Sequence, residues 1–180
     1  IPSFYGDDLS DWTPGKNPAF DYCEARCWLA RRDGEIVGRI GAILSHKAND
    51  KFGTHRMRFS QVDFVDDSEV SAALFGTVER WARATGCDQV HGPLGFTARD
   101  REGKHVEGFD RRSRVFTNYT APYYLEHLTR LGYRKDVDWI EYRITVPEPG
   151  GAEAERLPPL SEFLLPRKHL HVATVHHKRA

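Results

Sequence analysis

Residues 56–95 read RMRFSQVDFVDDSEVSAALFGTVERWARATGCDQVHGPLG, and this stretch decides the fold of the chain. It begins with an apolar strand, passes through an acidic turn into an amphipathic helix, and ends in a short strand and a Gly-Pro-Leu-Gly loop. Two strands joined by one helix form a βαβ crossover, in which the strands are parallel. Because ligands of open α/β sheets bind beyond the carboxyl ends of such strands, we expect a site near residues 65–68 and 91–95.

The helix of this crossover is predicted over residues 68–85, because apolar side chains recur at intervals of three and four. Asp66, Asp67 and Glu69 stand at its start, where carboxylates accept hydrogen bonds from free amides and interact favourably with the helix dipole. We therefore expect these carboxylates to cap the helix, with pKa values below the ordinary range. Gly86, just past the predicted end, suits a left-handed C-cap.

Further strands are predicted on both sides of the crossover, and Asp33-Gly34 is a strong signal for a two-residue hairpin between the first two. The predicted strands span residues 22–31, 36–44, 56–65, 87–91, 139–146 and 169–175, in a sheet of about six or seven strands. A two-residue period in the third strand places one set of side chains on one face: Met57, Phe59, Gln61, Asp63 and Val65.

The connecting segments complete the predicted organisation. Residues 45–55 form a polar loop, and a second helix begins near Pro122 and ends at Gly132-Tyr133 in a Schellman motif. We divide the chain into an irregular N-terminal segment, one α/β domain, a linker, and a C-terminal strand or extension: residues 1–21, 22–146, 147–162 and 163–180.

The composition limits the class of protein. The chain has 180 residues, of which 39% are hydrophobic and 29% charged, as expected for a soluble globular domain. Its 26 basic and 26 acidic residues cancel, which argues against a nucleic-acid or membrane partner. No apolar run approaches membrane-spanning length, and no signal peptide is visible. Three cysteines without a CxxC pair indicate reduced thiols, and therefore a cytoplasmic location.

Several motifs resemble the GNAT superfamily of acyl-CoA-dependent N-acyltransferases, over roughly residues 22–146. A DGEIVG hairpin and a helix ending in LTRLGY carry this resemblance, at residues 33–38 and 128–133. Three further motifs are similar to a bacterial subgroup of GNAT-like proteins: GPLGF at 92–96, VEGFD at 106–110 and NYTAPYY at 118–124. The resemblance implies an α/β (α+β) fold with a mixed, mostly antiparallel twisted sheet, helices on both faces and a central βαβ unit. It also implies transfer of an acyl group from acetyl-CoA or another acyl-CoA to a small amine.

The resemblance places the coenzyme A pyrophosphate on the backbone at the start of the central helix, which here comprises Phe64, Val65, Asp66, Asp67 and Ser68. The glycines of the family's Gln/Arg-x-x-Gly-x-Gly/Ala loop are absent from this stretch. A carboxylate about 5 Å from a phosphate costs roughly 3 kcal/mol at an effective dielectric near 20. One charge-assisted hydrogen bond returns only about 1.5–3 kcal/mol. A second interpretation is therefore a GNAT-like domain that has lost the cofactor and binds or assembles with another protein.

Acyl transfer to an amine needs a base, an oxyanion donor and an acid for the departing thiolate. The catalytic candidates are His91, Glu107, Asp110 and Tyr124, with Asp63 as a further base. Leu128 stands where many family enzymes have the tyrosine that protonates the thiolate, and its neighbour His127 is expected to point elsewhere. Candidates for the substrate pocket are Phe96, Asn118, Tyr119 and Tyr123. Each of these residues also has an ordinary structural explanation, as a solvated charge or as core packing.

Nine histidines invite a search for a metal site. His169 and His171 have acceptable spacing on a strand, and His176-His177 follow, but no third ligand is fixed by the spacing. The basic cluster at residues 111–114 suits a phosphate or carboxylate, or a solvated loop. We therefore predict no metal, and the sequence leaves the oligomeric state open.

Overall fold

The computed structural model describes residues 5–111, 117–143, 145, 146, 148, 151, 163–169 and 171. By their Cα positions, residues 1–138 and 139–180 form two separate compact units. No helix among the described residues is long and apolar enough to cross a bilayer.

The first unit contains one mixed sheet with the order β1-β2-β3-β4. Two neighbouring pairs, β1–β2 and β2–β3, are antiparallel, whereas β3 and β4 are parallel. The elements are α1 (Tyr5–Asp11), a 3-10 turn (Pro18–Asp21), β1 (Cys23–Arg32), β2 (Glu35–Ser45), α2 (His46–Phe52), β3 (Arg56–Phe64), α3 (Ser68–Ala84), β4 (Gln89–His91) and α4 (Tyr123–Arg130). The predicted α/β class and the parallel βαβ unit β3–α3–β4 are therefore confirmed.

Two glycines explain the β1–β2 hairpin and the close packing of α3 on the sheet. Asp33 and Gly34 both have left-handed backbones, with φ of 50° and 87°, as a tight two-residue hairpin requires. A Cβ added to Gly38 in β2 would lie 2.9 Å from Leu74 Cδ1 and 3.1 Å from Val70 Cγ1. Gly38 therefore allows α3 to pack closely against the sheet.

A bulge in β3 overturns the predicted division of its side chains between two faces. Gln61 has a φ of 47°, and the register with β2 shifts by one residue there. The extra residue reverses the alternation that follows, so Val65 and Asp63 are exposed although they share a predicted face with Met57. The same hydrophobic core instead takes in Met57, Phe59, Val62 and Phe64.

The two faces of the sheet are covered differently. Helix α3 packs its apolar stripe on one face, and Tyr124 of α4 joins the same core. On the other face, Phe96 packs against Trp12 and Phe20, with ring centroids 5.2 and 5.1 Å apart. The rings of Trp12 and Phe20 thus anchor the N-terminal segment.

Residues 45–55, predicted as a loop, contain the short helix α2. Ser45 caps its start, since its hydroxyl accepts a hydrogen bond of 3.3 Å from the Ala48 amide. Gly53 ends it in the left-handed conformation with φ of 60°. Both cap residues are visible in the sequence, but the helix lacks buried side chains, and so the apolar period that predicts longer helices is missing.

The described residues form four strands rather than six or seven. None of the described residues among 139–146 belongs to a strand, and the side chains of Trp139 and Val146 are 71% and 83% exposed. An alternating pattern shows that a segment suits a half-buried strand, but a strand also needs a neighbour to pair with. Residues 163–167 are helical and His169 lies in a turn, so the strand predicted at 169–175 does not begin there; residues 170 and 172–175 lie outside the described residues.

Candidate active site

Strand β3 continues past the point where its parallel neighbour ends. Strand β4 ends at His91, opposite Arg58, whereas β3 runs on to Phe64. This extension pairs with β2 on one side, and on the side that β4 leaves open three of its main-chain groups bond to side chains. The Phe64 amide donates to Tyr124 Oη at 3.2 Å, Tyr123 Oη donates to the Phe64 carbonyl at 2.6 Å, and Lys104 Nζ donates to the Val62 carbonyl at 3.3 Å.

Three ionisable side chains meet at this end of β3, and we call them the strand-end cluster: Asp63, Lys104 and Tyr124. The Tyr124 hydroxyl donates to Asp63 Oδ1, and Lys104 Nζ lies 4.2 Å from the centroid of the Tyr124 ring. Burial, followed by the hydrogen bond to Asp63, raises the pKa of Tyr124 far above its ordinary value. Burial lowers the pKa of Lys104 to about 8, and the positive charge of Arg39 acts in the same direction. The carboxylate of Asp63 opposes both effects on Lys104.

At the start of α3, a side chain occupies two of the free backbone amides, and we call this helix start closed. Asp67 Oδ1 accepts hydrogen bonds from the amides of Glu69 and Val70 at 2.8 and 3.3 Å. The Arg32 guanidinium binds Asp67 Oδ2 at 2.6 Å and Glu69 Oε2 at 3.2 Å. The Arg32 hydrogen bond, followed by the two amides, lowers the pKa of Asp67. The predicted cap with a depressed pKa is therefore confirmed for Asp67. It was wrong for Asp66 and Glu69, whose carboxylates bond to side chains instead of the helix amides.

His127 joins α4 to the start of α3, although the sequence analysis expected it to point elsewhere. Its side chain is buried, with Nε2 2.8 Å from Asp66 Oδ1 and Nδ1 2.8 Å from Ser71 Oγ. Ser71 Oγ also donates to the Ser68 carbonyl at 3.0 Å. The expectation was wrong because His127 lies three residues after Tyr124, on the same face of the helix.

The pocket candidates divide between different parts of the first unit. Tyr123 contacts the end of β3, whereas Phe96 is buried in the core on the opposite face of the sheet. Asn118 Nδ2 donates to the Gly103 carbonyl at 3.2 Å, and Tyr119 Oη donates to the Phe109 carbonyl at 3.0 Å. Asn118 and Tyr119 therefore shape the loop before α4.

The remaining catalytic candidates lie apart from the strand-end cluster. His91 is half-buried at the end of β4, and burial followed by the charges of Arg58 and Arg56 lowers its pKa to about 4. Its imidazole is thus neutral at physiological pH. Glu107 and Asp110 are exposed, and within the described chain no hydrogen bond or ion pair joins either of them to the cluster.

Among the predicted backbone positions for a cofactor, Phe64 is buried, while Val65 and Ser68 are exposed beside the capped helix start. Lys104 is the residue of this region that the sequence analysis missed. It reaches β3 because its loop folds back, with the Gly103 amide donating to the Pro93 carbonyl at 3.0 Å. Gly103 has a φ of 74°, so the glycine before the lysine is the local signal for this turn.

In the part of the chain that the structure describes, no group of three or more His, Cys, Asp or Glu residues is placed to hold a metal ion. The backbone at His171 belongs to no helix or strand. The described residues do not include His176 or His177, nor Arg112 and Arg114 of the basic cluster. The chemistry that the described side chains offer is proton transfer at the strand-end cluster.

Two curated proteins are similar to the chain. "Protein YghO" of Escherichia coli (strain K12) is 32% identical over 151 residues, which cover 78% of this chain and 38% of that protein. "Bacterial ceramide synthase" of Caulobacter vibrioides (strain NA1000 / CB15N) is 32% identical over 132 residues, which cover 73% of this chain and 34% of that protein. The chain thus spans little more than a third of the length of either relative. No family model matches the chain, and no solved structure matches it.

Proposed function

We propose that the chain is part of a GNAT-type N-acyltransferase that moves an acyl group from an acyl-CoA thioester to the amine of a long-chain amino alcohol. Similarity to a protein named bacterial ceramide synthase supports the reaction class, since a ceramide is an N-acylated long-chain amino alcohol. The mixed sheet with its parallel βαβ unit supports the fold assignment. The free thiols of Cys23, Cys27 and Cys87 agree with a reducing, cytoplasmic location.

The observation that carries the proposal is the strand-end cluster at the carboxyl end of β3, the end at which ligands of α/β sheets bind. The Asp63 carboxylate takes a proton from the acceptor ammonium, so that a neutral amine attacks the thioester carbonyl. The Tyr124 hydroxyl holds Asp63 in place by its hydrogen bond. The neutral imidazole of His91 and the exposed carboxylates of Glu107 and Asp110 are second candidates for the base.

A second candidate function is a GNAT-like module that binds or assembles with a protein and uses no acyl-CoA. The closed start of α3 favours it, because Asp67 already occupies the amides of Glu69 and Val70. An entering phosphate would have to displace this carboxylate and compete with Glu69 for Arg32. In the acyltransferase we therefore expect the thioester end of the donor to be held at the end of β3, with no pyrophosphate cradle at α3.

The test is formation of an amide by the purified chain from octanoyl-CoA, followed by mass spectrometry. Sphinganine is the long-chain acceptor, and ethanolamine offers the same amino-alcohol group without the chain. We expect N-octanoylsphinganine and little N-octanoylethanolamine. Acylation of ethanolamine alone would point to a small amine as the acceptor. No product with either amine, and no shift of Tm at millimolar octanoyl-CoA, would leave the binding module as the better account.

A further inference from the structure

Lys104 occupies an unusual place for a lysine. Its ammonium group lies over the Tyr124 ring and donates one hydrogen bond, to the Val62 carbonyl, among the described residues. An ammonium group has three N–H donors, so two remain for a ligand or for water. Asp63 and Arg39 are the charged groups that act on it from the neighbouring strands, and Tyr124 faces it from α4.

Tyr124 is poorly suited to give up its proton. Its hydroxyl already donates to Asp63, and loss of that proton would place a phenolate against a carboxylate. Burial raises the pKa of Tyr124, and the hydrogen bond to Asp63 raises it further. Lys104, by contrast, has a pKa of about 8, close to that of a cysteine thiol at about 8.5. General acids work best when their pKa lies near the working pH and near that of the group they protonate.

We infer that Lys104 is the general acid of the proposed reaction and gives its proton to the sulfur of the departing thiol. The inference rests on the proposed function. The acceptor ammonium first loses a proton to Asp63, and its nitrogen lone pair then forms the C–N bond at the thioester carbonyl. The C–S bond breaks with its electron pair left on sulfur, which takes the proton from Lys104 Nζ. The attached nitrogen still carries two protons, and it gives one of them to water as the amide forms. The products are an amide and a free thiol, and the proton held by Asp63 returns to Lys104.

The experiment compares two octanoyl donors with sphinganine as the acceptor. Octanoyl-CoA releases an alkyl thiolate that needs an acid, whereas S-octanoyl thiophenol releases a more stable thiolate that leaves without one. Lys104→Arg keeps the cation over the Tyr124 ring but does not release a proton in the working range. We expect this variant to lose about 100-fold or more in kcat/KM with octanoyl-CoA, and less than about tenfold with the aryl thioester. The parent's kcat should fall above pH about 8, and this fall should be absent from the variant.

Lys47→Arg is the matched control, because Lys47 also lies over a tyrosine ring, with its Nζ 5.3 Å from the Tyr22 centroid. If Lys104→Arg does not fold, the same two donors are compared with the uncharged variant Lys104→Met. An equal loss with both donors, or no loss with either, would overturn the role of Lys104 while the proposed function stands. Failure of both Lys104 variants to fold would also overturn this role, because Lys104 would then be structural. Absence of transfer by the parent from both donors would instead overturn the proposed function itself.

Discussion

The end of β3 and the start of α3 are separated by three residues, yet they use their charged side chains in opposite ways. At the start of α3, Asp66 bonds to His127, and Asp67 and Glu69 bond to Arg32. At the end of β3, the exposed carboxylate of Asp63 meets a phenol and a lysine, both with strongly shifted pKa values.

This difference separates carboxylates that stabilise the fold from the one that we propose as the base. A carboxylate that caps a helix lowers the free energy of the folded state and gains from the helix dipole. Perturbed acid–base groups that gather at the carboxyl end of a strand are instead typical of a reaction site. We therefore propose that the chemistry takes place at Asp63, whereas Asp67 has a structural role.

The largest expected effect comes from Asp63→Asn. This substitution keeps the acceptor for the Tyr124 hydroxyl but removes the base. We expect the rate of N-octanoylsphinganine formation to fall about 100-fold or more, as is typical for a general base. The matched control is Asp88→Asn at an exposed site beside β4, which should retain the parent rate. If the Asp63 variant keeps the parental rate, another residue is the general base.

A large loss of stability is expected from His127→Leu. The substitution removes the bonds to Asp66 and Ser71, and it leaves the buried Ser71 hydroxyl without one partner. We expect the free energy of unfolding to fall by about 1–3 kcal/mol in urea titrations. His55→Leu, at an exposed site, serves as the control. If the His127 variant is as stable as that control, the link between α4 and α3 contributes nothing.

A smaller loss is expected from Arg32→Met, since the Arg32 side chain is about half exposed and its ion pairs are screened by solvent. The variant should melt slightly earlier than the parent, because Asp67 and Glu69 lose their shared cation. Thermal unfolding at low and high salt measures the effect. The difference between the two proteins should shrink as salt rises. A difference that is unchanged by salt would contradict an electrostatic cause.

The smallest effect concerns the pH dependence of the Asp67 cap. The pKa of Asp67 is lower in the folded protein than its ordinary value of 3.8. The unfolded chain therefore binds more protons in this window, and the contribution of Asp67 to stability is complete above pH 3.8. It is lost as the pH falls through the folded value. The Tm difference between the parent and Asp67→Asn should accordingly vanish in acid, and a constant difference would contradict it.

Local patterns in the sequence predict most of the first unit. The hairpin at Asp33-Gly34, the capped helix α3 and the parallel pair are all visible there. The end of α4 also follows the Schellman motif, with the Tyr133 amide donating to the Leu128 carbonyl at 3.0 Å. The hairpin and the two helix ends depend on residues close together in the chain, and the parallel pair follows from the single helix that joins its two strands.

The parts that the sequence did not predict depend on distant contacts. Lys104 and Val62 are 42 residues apart, and His127 and Asp66 are 61 apart. The spacing of apolar residues in the sequence does not indicate which loop folds back onto the end of a strand. The bulge at Gln61 was missed for a related reason, because its neighbours suit a regular strand equally well. Asp63 and Tyr124 of the strand-end cluster are therefore among the candidates that the sequence offers, whereas Lys104 is not.

The most direct test of the division between the two regions is one rate assay on Arg32→Met and Asp63→Asn side by side. Both proteins are given octanoyl-CoA and sphinganine, and amide formation is followed over a range of octanoyl-CoA concentrations. Our account predicts a parental KM for octanoyl-CoA in the Arg32 variant and a loss of about 100-fold in kcat for the Asp63 variant. A raised KM in the Arg32 variant with an intact kcat in the Asp63 variant would contradict it, because the donor would then bind at the start of α3.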